Sequence, residues 1–166
     1  MLEIKEVKTK KEIQIVQELS QIIWNKWYIS ILSQEQINYM LDLFYSEHII
    51  QEEINKGVVY WLLKNENSFT GYCSFEKMNE NEEYKLHKIY IDVTKHKKGL
   101  GSFFIEQIIE YIKTQKGKSL YLNVNRHNSS LQFYLKKGFE IIKEEDVPIG
   151  NNYFMNDYVL ALKINS

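Results

Sequence analysis

The sequence predicts an α/β (α+β) fold: one mixed, mostly antiparallel sheet with helices on both faces. Three observations predict it. Short apolar stretches, several with period-two alternation, recur along the chain and mark strands. Residues 11–27 and 102–115 instead repeat apolar side chains at helical spacing. The strands cluster as hairpins in the first half and at the end, with helices interleaved. No repeat, linker or low-complexity segment interrupts this pattern, so a single domain over residues 1–166 is expected.

Residues 2–8 alternate and open the chain as a strand. Residues 11–27 carry Ile13, Ile15, Val16, Leu19, Ile22 and Ile23 on a helical stripe. Ser33 followed by Gln36 has capping-box spacing, so a second helix runs through Ile37, Met40, Leu41 and Phe44, and 45–55 adds a shorter helical piece. Residues 57–64 and 69–78 read as strands joined by the polar turn 65–68. An acidic loop at 79–83 leads to a strand over 84–93. The clearest helix is 102–115, where Phe104, Ile108 and Ile112 recur every fourth residue and Gly117 stands where a C-terminal cap belongs. A strand over 120–125 follows. Asn128 is placed to cap a short helix at 129–137, which Gly138 closes. Residues 139–144 form a strand, 147–152 a turn holding the sole proline, Pro148, and 153–164 a long last strand.

Composition narrows the function. The chain has 166 residues, is 44% hydrophobic and 14% aromatic, and so has the apolar content of a folded domain rather than a disordered chain. With a net charge of −1, nothing global suggests nucleic acid or an anionic membrane as a partner; any basic function must be local. Cys73 is the only cysteine, which fits a reducing compartment. The N-terminal residues are charged and alternating, unlike a secretory signal, and no apolar run is long enough to span a bilayer, so a cytoplasmic protein is expected. Cys73 and the four histidines (His48, His87, His96, His127) lack metal-ligand spacing, so no metal is expected. Arg126, the only arginine, reads as a consequence of Lys-rich composition rather than as chemistry.

The chemistry concentrates in residues 86–104. A β-branched strand runs into Lys95, His96, Lys97 and Lys98, turns on Gly99, Leu100 and Gly101, and enters a helix at Ser102. The first N–H groups of a helix lack intrahelical partners and sit at the positive end of its dipole, and glycine lets the backbone approach a ligand closely. Such a turn holds an anion, with phosphate the natural guest. It is neither a dinucleotide fingerprint, whose third glycine would fall on Phe104, nor a P-loop, which needs Lys before Ser102.

A second motif makes the reading specific. Asn128, Phe133-Tyr134 and Gly138-Phe139 follow the glycine turn by about thirty residues. Together, His96-Lys97-Lys98-Gly99-Leu100-Gly101 and this Asn…Phe-Tyr…Gly-Phe pattern resemble the GNAT superfamily of N-acetyltransferases, most strongly over residues 84–139. His96 departs from the Gln or Arg usual at its position. The region around Trp24, Tyr28, Gln36, Tyr39 and Met40, with residues 150–159, is similar to the branch containing spermidine/spermine N-acetyltransferase-like proteins.

The resemblance implies acetyl-CoA as acetyl donor and a splayed central strand. It implies that His96, Lys97, Lys98, Gly99, Leu100, Gly101 and Ser102 cradle the pyrophosphate. The backbone of Ile89, Tyr90 and Ile91 would pair with the pantetheine arm like an added strand. Asn128 and Lys137 would also contact the cofactor, with Lys136 an alternative to Lys137. Tyr134 matches the family's general acid; its ordinary pKa of about 10 suits protonation of a thiolate. For the base, His87 shares a strand face with Ile89 and Ile91 and has a near-neutral ordinary pKa. Glu83, Asp92, Asp157 or water are the alternatives. Trp24 and Tyr28 could wall a cationic acceptor, although such aromatics also serve as core. The expected partner is a small-molecule or protein amine, with a homodimer open. The rival functions are a CoA-binding sensor without catalysis and, against the net charge, a nucleic-acid-binding domain.

Overall fold

The computed structural model describes residues 1–92, 94 and 98–165. Strand β1 (Leu2–Glu6) leads to helix α1 (Lys10–Trp27), which starts at a complete capping box. The Thr9 hydroxyl accepts from the Glu12 N–H, and the Glu12 carboxylate accepts from the Thr9 N–H at 2.9 Å and the Lys8 N–H at 2.7 Å. A 3₁₀ turn (Tyr28–Ser30) separates α1 from α2 (Gln34–Tyr45), capped by Ser33 as expected, and α3 (Glu47–Asn55) is capped by Ser46. Then come β2 (Val59–Asn65), β3 (Ser68–Lys77), β4 (Glu83–Ile91), α4 (Leu100–Thr114), β5 (Ser119–Asn125), α5 (Ser130–Lys136), β6 (Glu140–Gly150) and β7 (Tyr153–Lys163).

The strands form one seven-stranded mixed sheet in the order β1-β2-β3-β4-β5-β7-β6. β1–β2, β2–β3, β5–β7 and β6–β7 are antiparallel, and β4–β5 is parallel. By packing, the chain divides into two compact units. The first, Met1–Glu76 with Lys88–Glu106, buries Ile13, Val16, Ile37, Ile50, Leu62 and Phe75. The second, Lys77–His87 with Gln107–Ser166, buries Ile108, Ile112, Leu120, Leu122 and Leu160.

Two local expectations change. Residues 147–152 are not a turn. β6 continues through Pro148 to Gly150, with a register shift against β7 between those two residues, and Asn151 and Asn152, at φ 52° and 59°, turn the chain into β7. β6 ends the strand order, and proline is tolerated on an edge strand because no neighbour needs its missing N–H. Gly117 is not the left-handed cap of α4 either. Lys116 takes that conformation at φ 60°, and the Gly117 N–H closes the turn on the Ile112 carbonyl at 2.9 Å. Gly117 is there for space: a Cβ would collide with Ile112 and lie 2.8 Å from the Tyr84 ring.

Candidate active site

The glycine turn forms where the sequence places it. Gly99 sits at φ +94°, and a Cβ there would meet nothing within 4 Å. Its carbonyl accepts from the Phe103 N–H at 2.9 Å, so α4 begins at Leu100, earlier than Ser102. Leu100, Gly101 and Ser102 therefore occupy the first turn, where N–H groups are unspent by the helix. Leu100 and Phe104 are buried and seat that turn, while Lys98 and Gly99 are exposed. His96 and Lys97 lie outside the described residues.

β4 has the predicted splay. Its parallel register with β5 runs from Glu83↔Ser119 to Leu86↔Leu122, although both strands continue, β4 to Ile91 and β5 to Asn125. His87, the first β4 residue past that register, is exposed; Ile89, Tyr90 and Ile91 are half-buried. β3 comes very close to this half of β4, because Gly71 has no side chain: a Cβ would stand 2.7 Å from the Tyr90 carbonyl oxygen. The Asp92 N–H then donates to the Thr70 carbonyl at 2.7 Å.

All three carboxylates named as alternative bases, Glu83, Asp92 and Asp157, accept hydrogen bonds. The Asp92 carboxylate accepts from the Thr94 N–H and hydroxyl at 3.0 and 2.7 Å. Glu83 accepts from Asn79 at 2.7 Å and from the Tyr121 hydroxyl at 3.3 Å.

The first unit holds the aromatic residues together. Trp24 stacks on Tyr28 with centroids 4.4 Å apart, and both meet Tyr90 of β4, at 5.5 and 5.8 Å. Tyr45 and Tyr72 extend the cluster, and the Tyr72 hydroxyl lies 2.8 Å from that of Ser20. Burial pushes both phenols above their ordinary range. Trp24 is buried and Tyr28 half-buried, so Tyr28 is the more accessible of the two. Tyr45 and Tyr72 were not expected here, since their positions fit ordinary core periodicity, and Tyr90 was expected only for its backbone.

In the second unit, the geometry around Tyr134 explains its motif. Gly138 follows α5 at φ +94°. Its N–H donates to the Leu135 carbonyl and the Phe139 N–H to the Tyr134 carbonyl, both at 3.1 Å. This is a Schellman closure, whose usual apolar contact is made by the Tyr134 and Phe139 rings at 5.7 Å. The Phe-Tyr…Gly-Phe pattern thus holds the buried Tyr134 by backbone and ring alike. The Asn128 side chain accepts from the Ser130 N–H at 2.8 Å, but it is not the expected cap: Ser129 holds the N-cap position, without a side-chain hydrogen bond, and α5 starts at Ser130. The Lys137 ammonium lies over the Phe133 ring at 6.0 Å. Arg126 has chemistry after all: it pairs with Glu144 at 3.0 Å and with Asp146, tying the loop before α5 to β6.

The second unit also contains a polar network that sequence spacing did not reveal. Lys85 donates to the Asn123 side-chain oxygen, and the Asn123 amide donates to Glu145 at 2.9 Å and Asp157 at 3.3 Å. Burial raises the Asp157 carboxyl above its ordinary value, with Asn123 opposing, and burial lowers the Lys85 ammonium.

Residues 29–153 match the model of the acetyltransferase (GNAT) domain family. The chain belongs to this GNAT family. It is therefore an acetyl-CoA-dependent N-acetyltransferase. Solved structures of similar fold include the PaiA N-acetyltransferase from Thermoplasma acidophilum in complex with coenzyme A, at 20% identity over 98% of this chain and 99% of that one, TM-score 0.82. A ribosomal-protein-alanine N-acetyltransferase from Escherichia coli matches at 16% identity over 100% and 96%, TM-score 0.75. An aminoglycoside 6'-N-acetyltransferase complexed with coenzyme A matches at 13% identity over 99% and 98%, TM-score 0.68. For a GNAT domain, the splay of β4 from β5 and the turn at Gly99 are the expected fold features. Among the described residues no group of ligating side chains could hold a metal ion, and no helix is long and apolar enough to cross a membrane.

Proposed function

We propose that the enzyme transfers the acetyl group of acetyl-CoA to a primary amine by direct attack within a ternary complex, residues 1–166 acting as one catalytic domain. One observation carries this reading: the family match spans both the Gly99 turn and the Tyr134 helix, the two parts that acetyl transfer needs. The first-turn N–H groups of Leu100, Gly101 and Ser102 hold the pyrophosphate, with His96, Lys97, Lys98 and Gly99 around it. The backbone of Ile89, Tyr90 and Ile91 lies along the pantetheine arm, and a main-chain N–H of β4 polarises the thioester carbonyl. Asn128 and Lys137 hold the cofactor from the α5 side. As the amine nitrogen bonds to the carbonyl carbon, the carbon–sulfur bond breaks. Tyr134 gives its proton to the departing thiolate, and His87 takes the proton that the amine sheds.

Trp24 and Tyr28, extended by Tyr90, support a cationic acceptor, since stacked aromatic faces attract ammonium groups. A polyamine is the acceptor we favour. The fold does not choose it: the similar structures carry names with acceptors as different as a ribosomal-protein alanine and an aminoglycoside. The lone, buried Cys73 supports a reducing, cytoplasmic setting. Exposed Ile141, Ile142, Val147 and Phe154 on β6 and β7 support a homodimer through that hairpin.

The test is a thiol-release screen of the purified chain with acetyl-CoA against polyamines, amino acids, aminoglycosides and peptides. Polyamines are expected to give the highest kcat/KM. Acetyl-CoA binding without thiol release on any amine would replace this reading with a CoA-binding module. Unchanged turnover of Tyr134→Phe on a proven acceptor would remove the proton-donor role.

A further inference from the structure

Lys88 is the one β4 side chain that is charged, buried and unused by the proposed chemistry. It is only 7% exposed. Its ammonium donates to the Glu53 carboxylate of α3 at 2.9 Å, to the Phe44 carbonyl near the end of α2 at 3.3 Å, and to the Tyr60 hydroxyl of β2. An ammonium has three protons to donate, and here each has an acceptor on a different element. The rings of Tyr45 and Tyr60 stand 4.9 and 5.1 Å from the nitrogen. Tyr60 in turn donates to Glu53, closing a triangle of Lys88, Glu53 and Tyr60.

Such an arrangement is a poor way to gain stability alone. Burying an ion pair costs desolvation, and a methionine of similar length would fill the same space without that cost. What the ammonium adds is direction. Its acceptors on α2, α3 and β2 fix the height and rotation of one residue of β4.

The placement of that residue matters. The β4–β5 register ends at Leu86, and Lys88 is the second residue beyond it. From here to Ile91, β4 is located by β3, through the close approach at Gly71 and the Asp92–Thr70 hydrogen bond, and by the Lys88 triangle. Ile89 to Ile91 is also the backbone assigned above to the thioester and pantetheine arm.

We propose that Lys88 is a positioning residue: its ammonium, held by Glu53, Tyr60 and Phe44, sets the β4 backbone at the height where a main-chain N–H meets the thioester carbonyl. This rests on the acetyl-transfer reading. A misplacement of about 1 Å at a reacting centre can lower the rate roughly a hundredfold while leaving distant binding contacts intact. Lys88 therefore acts on kcat, whereas affinity for acetyl-CoA comes mostly from the Gly99 turn.

The test uses full-length Lys88→Met and Glu53→Gln beside wild type, with melting temperature, acetyl-CoA binding by calorimetry, and kcat and KM on the best acceptor. Both variants are expected to fold and to bind acetyl-CoA within about threefold of wild type, with kcat falling about tenfold or more, the split expected when a transition-state contact alone is lost. A residue serving only stability would lower the melting temperature and leave the kcat of the folded enzyme unchanged. That result in either variant overturns the proposal, as does a kcat loss no larger than the loss in acetyl-CoA affinity. If Lys88→Met fails to fold, Glu53→Gln, which keeps the side-chain shape, decides alone. Wild type that binds no acetyl-CoA would instead overturn the acetyl-transfer reading itself.

Discussion

Gly71 and the Tyr90 carbonyl are so close that a Cβ on residue 71 would lie 2.7 Å from the oxygen, and 3.1 Å from the Ile91 side chain. Carbon–oxygen contacts that short are not sustained, and both sides are backbone, so neither can swing away. Gly71→Ala is expected to displace the Tyr90–Ile91 segment and to destabilise the fold by about 1–3 kcal/mol, as overpacking of a buried site does. Urea unfolding checks the stability. Steady-state kinetics check the companion expectation of a raised KM for acetyl-CoA. Wild-type stability together with wild-type kinetics would show that β3 does not hold this part of β4.

Gly99 poses the opposite problem, because a side chain there has room but the backbone, at φ +94°, suits only glycine. Gly99→Ala is expected to cost about 1 kcal/mol locally. The affected turn is the one proposed for the pyrophosphate, so calorimetry should show weaker acetyl-CoA binding while kcat at saturation is retained. Unaltered binding would move the pyrophosphate away from this turn.

Asp157 gives a prediction with a definite sign. Burial raises its folded pKa above the unfolded value of about 3.9. A group raised in this way favours the folded state fully below the unfolded value, and that contribution is lost as pH rises through the folded value. At neutral pH the buried carboxylate therefore weighs against folding. Asp157→Asn is expected to raise the urea midpoint relative to wild type at pH 7, with the advantage shrinking as pH approaches 4. An advantage that grows towards low pH would contradict the assignment.

Glu12 carries the opposite sign. Hydrogen bonds from the Lys8 N–H, Lys5 and the Thr9 N–H hold its carboxyl at about 2. Its contribution is present above the unfolded value of about 4.3 and lost as pH falls from there towards the folded value. Glu12→Gln is expected to cost about 1 kcal/mol at pH 7, as capping contacts do, with the cost disappearing at the acid end. Thermal unfolding at a series of pH values checks this. A cost independent of pH would assign the effect to packing.

Much of this architecture was legible in residue order. Period-two runs and fourfold spacing located the strands and α4, and Ser33 announced α2. The glycine turn with the Phe-Tyr…Gly-Phe motif led to the family before any geometry. What stayed hidden depended on partners far along the chain. Lys88 looks like any charged residue in an alternating strand until Glu53 and Tyr60, 35 and 28 residues away, close around it. Asn123 becomes a bridge only when β7 and β6 bring Asp157 and Glu145 to it. Pro148 signalled a turn because proline breaks interior strands, and residue order does not say which strand lies at the edge. Arg126 seemed incidental because its two carboxylate partners sit on β6.

The central claim is that acetyl passes directly from acetyl-CoA to an amine in a complex holding both, with no acyl-enzyme between them. The most direct measurement is the initial rate of CoA release with acetyl-CoA and the best acceptor varied against each other. Direct transfer predicts intersecting double-reciprocal lines and no acetylated enzyme on mixing with acetyl-CoA alone. Parallel lines, together with a stoichiometric burst of free CoA in the absence of amine, would contradict it.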